Sequence, residues 1–148
     1  MAKTLSGQVF NNQTLMNRVV LVEFWATWCP YCKNDAESLE GLAREFEKDG
    51  LVVLAVDVAE SRKTVKAFLE RNPRKVNVVL MEDTNLAAMF AATSFPQYEL
   101  IDRRGRVVAE QKGAGGEAAL RRMLRKAGLE SAGDDEAPME LRSSPRRE

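Results

Sequence analysis

Cys29 and Cys32 are the only two cysteines in the chain. They stand in C-x-x-C spacing within Glu23-Phe24-Trp25-Ala26-Thr27-Trp28-Cys29-Pro30-Tyr31-Cys32, which also holds both tryptophans. An apolar run precedes the pair and a helical pattern follows it. Cys29 is therefore expected at the exposed end of a strand and the start of a helix. A thiol there faces unpaired backbone N–H groups and the positive end of the helix dipole. Both favour the thiolate, which is the nucleophile. Cys32 lies one helical turn further in, within disulfide reach of Cys29. The pair suits thiol–disulfide exchange, with Cys29 attacking and Cys32 resolving the mixed disulfide. The alternatives are a structural disulfide and half of a zinc site. Zinc would need two further ligands, and the chain has no histidine and no second cysteine pair. A structural C-x-x-C bond closes so small a loop that it constrains the unfolded chain little.

Glu23 is the other polar group that invites chemistry. It interrupts a strand otherwise too apolar to welcome a charge. Buried there, it must take up a proton or a partner, and it becomes an acid/base candidate beneath Cys32. The alternative is a strand-edge glutamate pointing to solvent. Pro30 stiffens the first turn of the helix.

The remaining composition narrows the choice of function. The chain has 148 residues, 45% of them hydrophobic, which suits one domain with a single core. Lys+Arg and Asp+Glu are each 22, so the formal net charge is zero. Neither nucleic acid nor an anionic membrane surface is called for. The lack of histidine removes His-based metal sites, Ser-His and Cys-His catalysis and histidine pH switching. No metal or cofactor is expected, and no run of 18 apolar residues is present to span a membrane. Met1 to Gly7 lacks the apolar core of a signal peptide. That fits a cytoplasmic protein, or one whose leader lies outside this sequence.

The elements that must position the cysteines follow from periodicity. Ser6 to Phe10 reads as a short strand and Asn11-Asn12-Gln13 as a turn. Val19 to Trp25 is a nearly continuous apolar strand, as in a sheet covered on both faces. Leu39, Leu42, Ala43 and Phe46 fall at i, i+3, i+4 and i+7, a helix that Gly50 stops. Leu51 to Val58 is a second buried strand. Ser61 caps a helix carrying Val65, Phe68 and Leu69, which Asn72-Pro73 ends. Val76 to Met81 is a third core strand. Asp83 or Thr84 caps a short helix with Leu86, Met89 and Phe90. Gln97 to Asp102 and Val107 to Gln111 form a hairpin around Arg103-Arg104-Gly105. Gly115-Gly116 precedes a last helix with Leu120, Met123, Leu124 and Ala127 on one face. The expected division is a domain over 1–127 and a disordered, polar tail over 128–148. Alternating strands and helices closed by a hairpin and helix imply an α/β fold, a mixed central sheet with helices on both faces.

The motif and the element order together resemble thioredoxin-fold thiol-disulfide oxidoreductases, and more narrowly the TlpA/ResA/DsbE-like branch, over about Val9 to Ala127. The resemblance implies a thioredoxin-like fold with an N-terminal hairpin region. It also identifies the unit Ser61 to Met81 as the branch's central helix-strand insertion. It supports Glu23 as the buried acid of the site. It makes Phe95-Pro96 the counterpart of the family's cis-proline loop, although cis is only ~5–6% of X–Pro bonds in general. Trp28, Pro30, Tyr31, Phe95 and Pro96 are accordingly expected to bind substrate. Cys-Pro-Tyr-Cys resembles the glutaredoxin dipeptide, whereas Trp25 to Trp28 resembles thioredoxin. Two positions depart from the family pattern. Glu37 stands where a kinking proline is common, and Gln97 follows the cis-proline where threonine is common. The implied function is dithiol–disulfide exchange with protein thiol or disulfide substrates and a reductant partner. The protein is expected to be a monomer in the periplasm or otherwise outside the cytoplasm, reducing protein disulfides or serving cytochrome c maturation. A cytosolic thioredoxin and a redox-inactive binding module of the same fold are the alternatives.

Overall fold

A computed structural model describes residues 1–131. The chain forms β1 (Ala2–Thr4), β2 (Val9–Phe10), β3 (Val19–Trp25), α1 (Pro30–Glu45), β4 (Leu51–Asp57), α2 (Arg62–Arg71), β5 (Asn77–Thr84), α3 (Leu86–Met89), β6 (Gln97–Ile101), β7 (Val107–Lys112) and α4 (Gly116–Arg125). The strands build one mixed sheet in the order β2-β1-β5-β4-β3-β6-β7. β3 is an interior strand beside the middle strand β4, parallel to β4 and antiparallel to β6. Every β3 residue is buried, as its unbroken apolar run requires.

Alternation along β3 sorts its side chains between two cores. Val19 and Leu21 join Leu39 and Leu42 of α1, Phe46 at its C-cap, and Leu120 and Leu124 of α4. Val20, Val22 and Phe24 join Phe10, Val56, Val79 and Ala87 on the opposite face. Glu23 and Trp25 share the parity of Leu21, so both point to the α1 side. A third cluster sets Trp25, Cys29 and Cys32 against Val65 of α2 and Val78 and Leu80 of β5.

Several boundaries differ from the sequence expectation. The N-terminal hairpin joins Ala2–Thr4 to Val9–Phe10 through Gly7 at φ +97°, and so includes a strand that Ser6 to Phe10 alone did not predict. A three-residue segment carries too few positions to show a period. α1 ends at Glu45 with Phe46 as its C-cap, and a 3₁₀ turn (Glu47–Asp49) intervenes before left-handed Gly50. Ser61 caps α2 as expected, its Oγ accepting from the Thr64 N–H at 3.1 Å. Asp83 and Thr84 prolong β5, because Ala2 of β1 pairs with Thr84. The Thr84 hydroxyl still accepts from the Leu86 N–H at 3.3 Å. At the C-terminus, Gly128 turns at φ +86° and Leu129 returns into the α1–α4 core. The first two residues of the expected tail are thus ordered, and 132–148 lies outside the described residues. No helix among the described residues is long and apolar enough to cross a membrane.

Candidate functional site

The site forms where β3 ends and α1 begins. Cys29 is the N-cap of α1, in extended conformation, and Pro30 opens the helix. Proline fits there because its missing N–H would have no helical partner. Cys29 and Cys32 form a disulfide with Cα atoms 5.3 Å apart. The Cys29 sulfur also accepts from the Cys32 N–H at 3.1 Å. That contact is the cap interaction expected of a thiolate-stabilising helix start.

Trp28 is 66% exposed and Tyr31 63% exposed, flanking the disulfide on the surface. Trp28 meets Phe95 edge-on with centroids 5.9 Å apart. The Phe95-Pro96 bond is cis. Pro96 is buried, and its carbonyl accepts from the Gly113 N–H at 2.7 Å. Trp28 and Phe95 thus meet beside the cysteines, Pro30 and Tyr31 stand between them in the first turn of α1, and Pro96 follows Phe95 through the cis bond. Cys29 differs from the expected open thiol, since in the disulfide it is only 2% exposed and Cys32 3%. Both sulfurs belong to the cluster against which Phe95 packs.

Glu23 is fully buried, which excludes the solvent-facing alternative. Its partner is Arg74, whose Nη1 donates to Oε1 at 2.9 Å. Burial raises the Glu23 carboxyl above the usual carboxylate range. Arg74 opposes the rise, and Asp35 and Glu40 add to it. Arg74 also lies over the Trp25 ring at 5.1 Å and 3.5 Å from Glu40. Across the strand, Glu23 registers with Tyr98, whose hydroxyl donates to Asp35 at 2.9 Å. Burial and then the Glu23 and Asp35 charges push the Tyr98 phenol up, so it stays neutral.

A second carboxyl pair stands beside the site. Asp57 ends β4 and pairs with Trp25 in register. Burial pushes its carboxyl up to about 9, and the neighbouring Glu60 adds to the rise. Burial alone would raise Glu60 too. The neighbouring Asp57 and the hydrogen bonds from Thr27 outweigh it and hold Glu60 below its ordinary value. Glu60 accepts from the Thr27 N–H at 2.9 Å and hydroxyl at 2.6 Å, fixing the loop into Trp28 and Cys29.

Sequence reading missed Arg74, Asp35, Asp57 and Glu60. Asp35 left a signal, because it stands one turn beyond Cys32 on the face that also carries Leu39 and Leu42. Arg74 left none, being a loop residue after Pro73. The described residues hold no group of His, Cys, Asp and Glu that could bind a metal.

This sheet order, with a C-x-x-C disulfide capping the helix after the central strand, defines the thioredoxin-like class of fold. More narrowly, the chain belongs to the Redoxin family, whose model matches residues 2–124. It is 32% identical over 106 residues to thioredoxin-like protein YneN of Bacillus subtilis, covering 70% of this chain and 61% of that one. It is 27% identical over 104 residues to thiol-disulfide oxidoreductase ResA of Bacillus cereus, covering 70% and 60%. The chain spans about 60% of the length of these curated relatives. The structure of MTB dsbF in its mixed oxidized and reduced forms superposes with a TM-score of 0.74 at 25% identity, over 85% of this chain and 92% of that one. These matches agree with the TlpA/ResA/DsbE-like branch that the motif resembles.

Proposed function

We propose that this chain is a dithiol–disulfide oxidoreductase acting on protein substrates. The observation that carries the reading is the Cys29–Cys32 disulfide at the helix start, with the Cys29 sulfur accepting from the Cys32 N–H. In the reduced protein the Cys29 thiolate attacks a substrate disulfide and expels one substrate thiolate. Cys32 then loses its proton and attacks the Cys29 sulfur of the mixed disulfide. The second substrate thiol leaves, and the protein keeps the disulfide, so two electrons pass to the substrate. Trp28, Tyr31, Phe95 and Pro96 form the surface against which the substrate backbone lies. Glu23 is the base for Cys32.

The family resemblance supports a monomer acting outside the cytoplasm as a reductant, with protein disulfides or the cytochrome c maturation route as its outlet. A separate protein returns its electrons. The near-complete cover over both sulfurs favours a second reading, a thioredoxin-fold binding module that does not turn over. Insulin reduction with dithiothreitol separates the two. Catalysed precipitation of the insulin B chain supports the enzyme, and a rate equal to dithiothreitol alone supports the module. A measured reduction potential assigns direction, since about −270 mV marks a thioredoxin-like reductant and about −120 mV an oxidant.

A further inference from the structure

β6 begins directly after the cis-proline and carries two polar side chains into an apolar core. Gln97 and Glu99 pair in register with Phe24 and Val22 of β3, so both point to the face that holds those two residues and Phe90. Both are fully buried. The Gln97 amide uses both of its N–H donors. One reaches the Phe90 carbonyl at 3.4 Å and the other the Glu99 Oε2 at 2.9 Å. Phe90 closes α3 and Gln97 opens β6, so this one amide ties together the two ends of the loop that carries Phe95-Pro96. Glu99 in turn fixes the orientation of that amide, whose Oε1 is buried with no partner of its own. Among the described residues, the charges acting on Glu99 come from β7. There Glu110 stands directly opposite Glu99, and Lys112 stands opposite Gln97. β3 sets only Val22 against it, and residues 86–96, which span α3 and the loop, contain no charged side chain. Burial pushes the Glu99 carboxyl up to about 7, with Glu110 adding to the rise and Gln97 and Lys112 opposing it.

We propose that Gln97 and Glu99 are positioning residues for the substrate-binding loop, holding Phe95-Pro96 against Trp28 while Glu99 keeps its proton and releasing it when Glu99 ionises opposite Glu110. The idea rests on the oxidoreductase reading and adds a pH control to its substrate surface. A neutral Glu99 accepts from the Gln97 amide and meets the exposed Glu110 carboxylate without repulsion. Once Glu99 ionises, two carboxylates face each other across the β6–β7 pair, which is unfavourable. A carboxylate buried with a single amide donor is costly as well. The Gln97 bond strengthens towards a charged acceptor, but it is one bond against both desolvation and a like charge. Glu99 is relieved by turning outward to water and exposed Lys112, which takes the acceptor away from Gln97. The freed amide no longer holds the Phe90 carbonyl, and Phe95 loses its set position beside Trp28. A peptide lying along the loop feels this change, whereas a small disulfide that needs only the Cys29 sulfur does not.

The test follows the reduced full chain from pH 5 to 9 with two substrates, a disulfide-bonded peptide without ionisable side chains and dithiodipyridine. The ratio of their second-order rate constants cancels the thiolate fraction of Cys29. In the wild type this peptide-to-dithiodipyridine ratio should fall about fivefold as pH rises through about 7, the upper worth of a like-charged cross-strand pair. Glu99→Gln keeps the acceptor for Gln97 and removes the titration, so its ratio should stay at the wild type's acid value throughout. Gln97→Leu removes the amide and should hold the ratio at the low value at every pH. The Glu99→Gln profile decides alone if the leucine variant fails to fold. A Glu99→Gln ratio that falls with pH as the wild type's does overturns the proposal, and so does a flat wild-type ratio. Either result leaves the oxidoreductase reading intact, because the peptide is still reduced. Failure of the wild type to reduce the peptide at any pH overturns both.

Discussion

Glu23→Gln keeps the shape of the buried side chain and removes its titration. In the wild type, Glu23 sits fully buried against Arg74, with its pKa raised. As a base for Cys32 it must lose its proton, so resolution of the mixed disulfide should quicken as pH rises through that raised value. Removing the base should slow resolution by ~10²–10⁴-fold, the usual worth of general acid–base help. The first attack by Cys29 should change far less. Stability follows a separate sign. A carboxyl whose folded pKa is raised binds its proton more tightly when folded. Stability therefore falls as pH climbs from the ordinary value of 4.5 through the folded one. Glutamine removes that decline, so the variant should match the wild type in acid and exceed it above the raised pKa. Arg74 is not stranded by this change, because Glu40 stays 3.5 Å away. Arg74→Met is the opposite case. It leaves Glu23 buried without a partner and should cost about 3–5 kcal/mol near pH 8. The cost should shrink in acid, where Glu23 takes up a proton. Stopped-flow reduction of a model disulfide from pH 5 to 9, with urea unfolding at the same pH values, reads both effects. Superimposable pH–rate profiles for wild type and Glu23→Gln would falsify the acid–base role.

Cys29→Ser should abolish turnover, whereas Cys32→Ser should accumulate mixed disulfides visible on non-reducing gels. Selective alkylation of Cys32 ahead of Cys29 in the reduced protein would reverse the two roles. Asp57 binds its proton more tightly in the fold, so its contribution to stability declines as pH rises from 3.8 towards about 9. Asp57→Asn should flatten that decline, and urea midpoints at pH 5 and 8 that run parallel to wild type would contradict it. Leu129→Ala should destabilise by about 2–5 kcal/mol, as loss of a buried leucine side chain does. A thermal midpoint unchanged from wild type would show that this turn adds nothing to the core.

Local spacing in the sequence determined the reactive pair, the strand before it, the helix after it and the hairpin near the C-terminus. Each of these is written within a few residues, as a two- or 3.6-residue period or a capping side chain. Family resemblance added the cis-proline loop, which no local propensity favours. The tertiary structure decided the electrostatics. Whether Glu23 faced solvent or core depended on α1 covering its side of β3. Its neutralising partner Arg74 stands 51 residues away. Asp35 meets Tyr98 across 63 residues, and Glu60 holds Thr27 across 33. Such contacts carry no sequence period, because they arise only when separate loops and strands are brought to one end of the sheet. Desolvation likewise exists only once the layers close, so the raised pKa values of Glu23 and Asp57 belong to the folded chain alone.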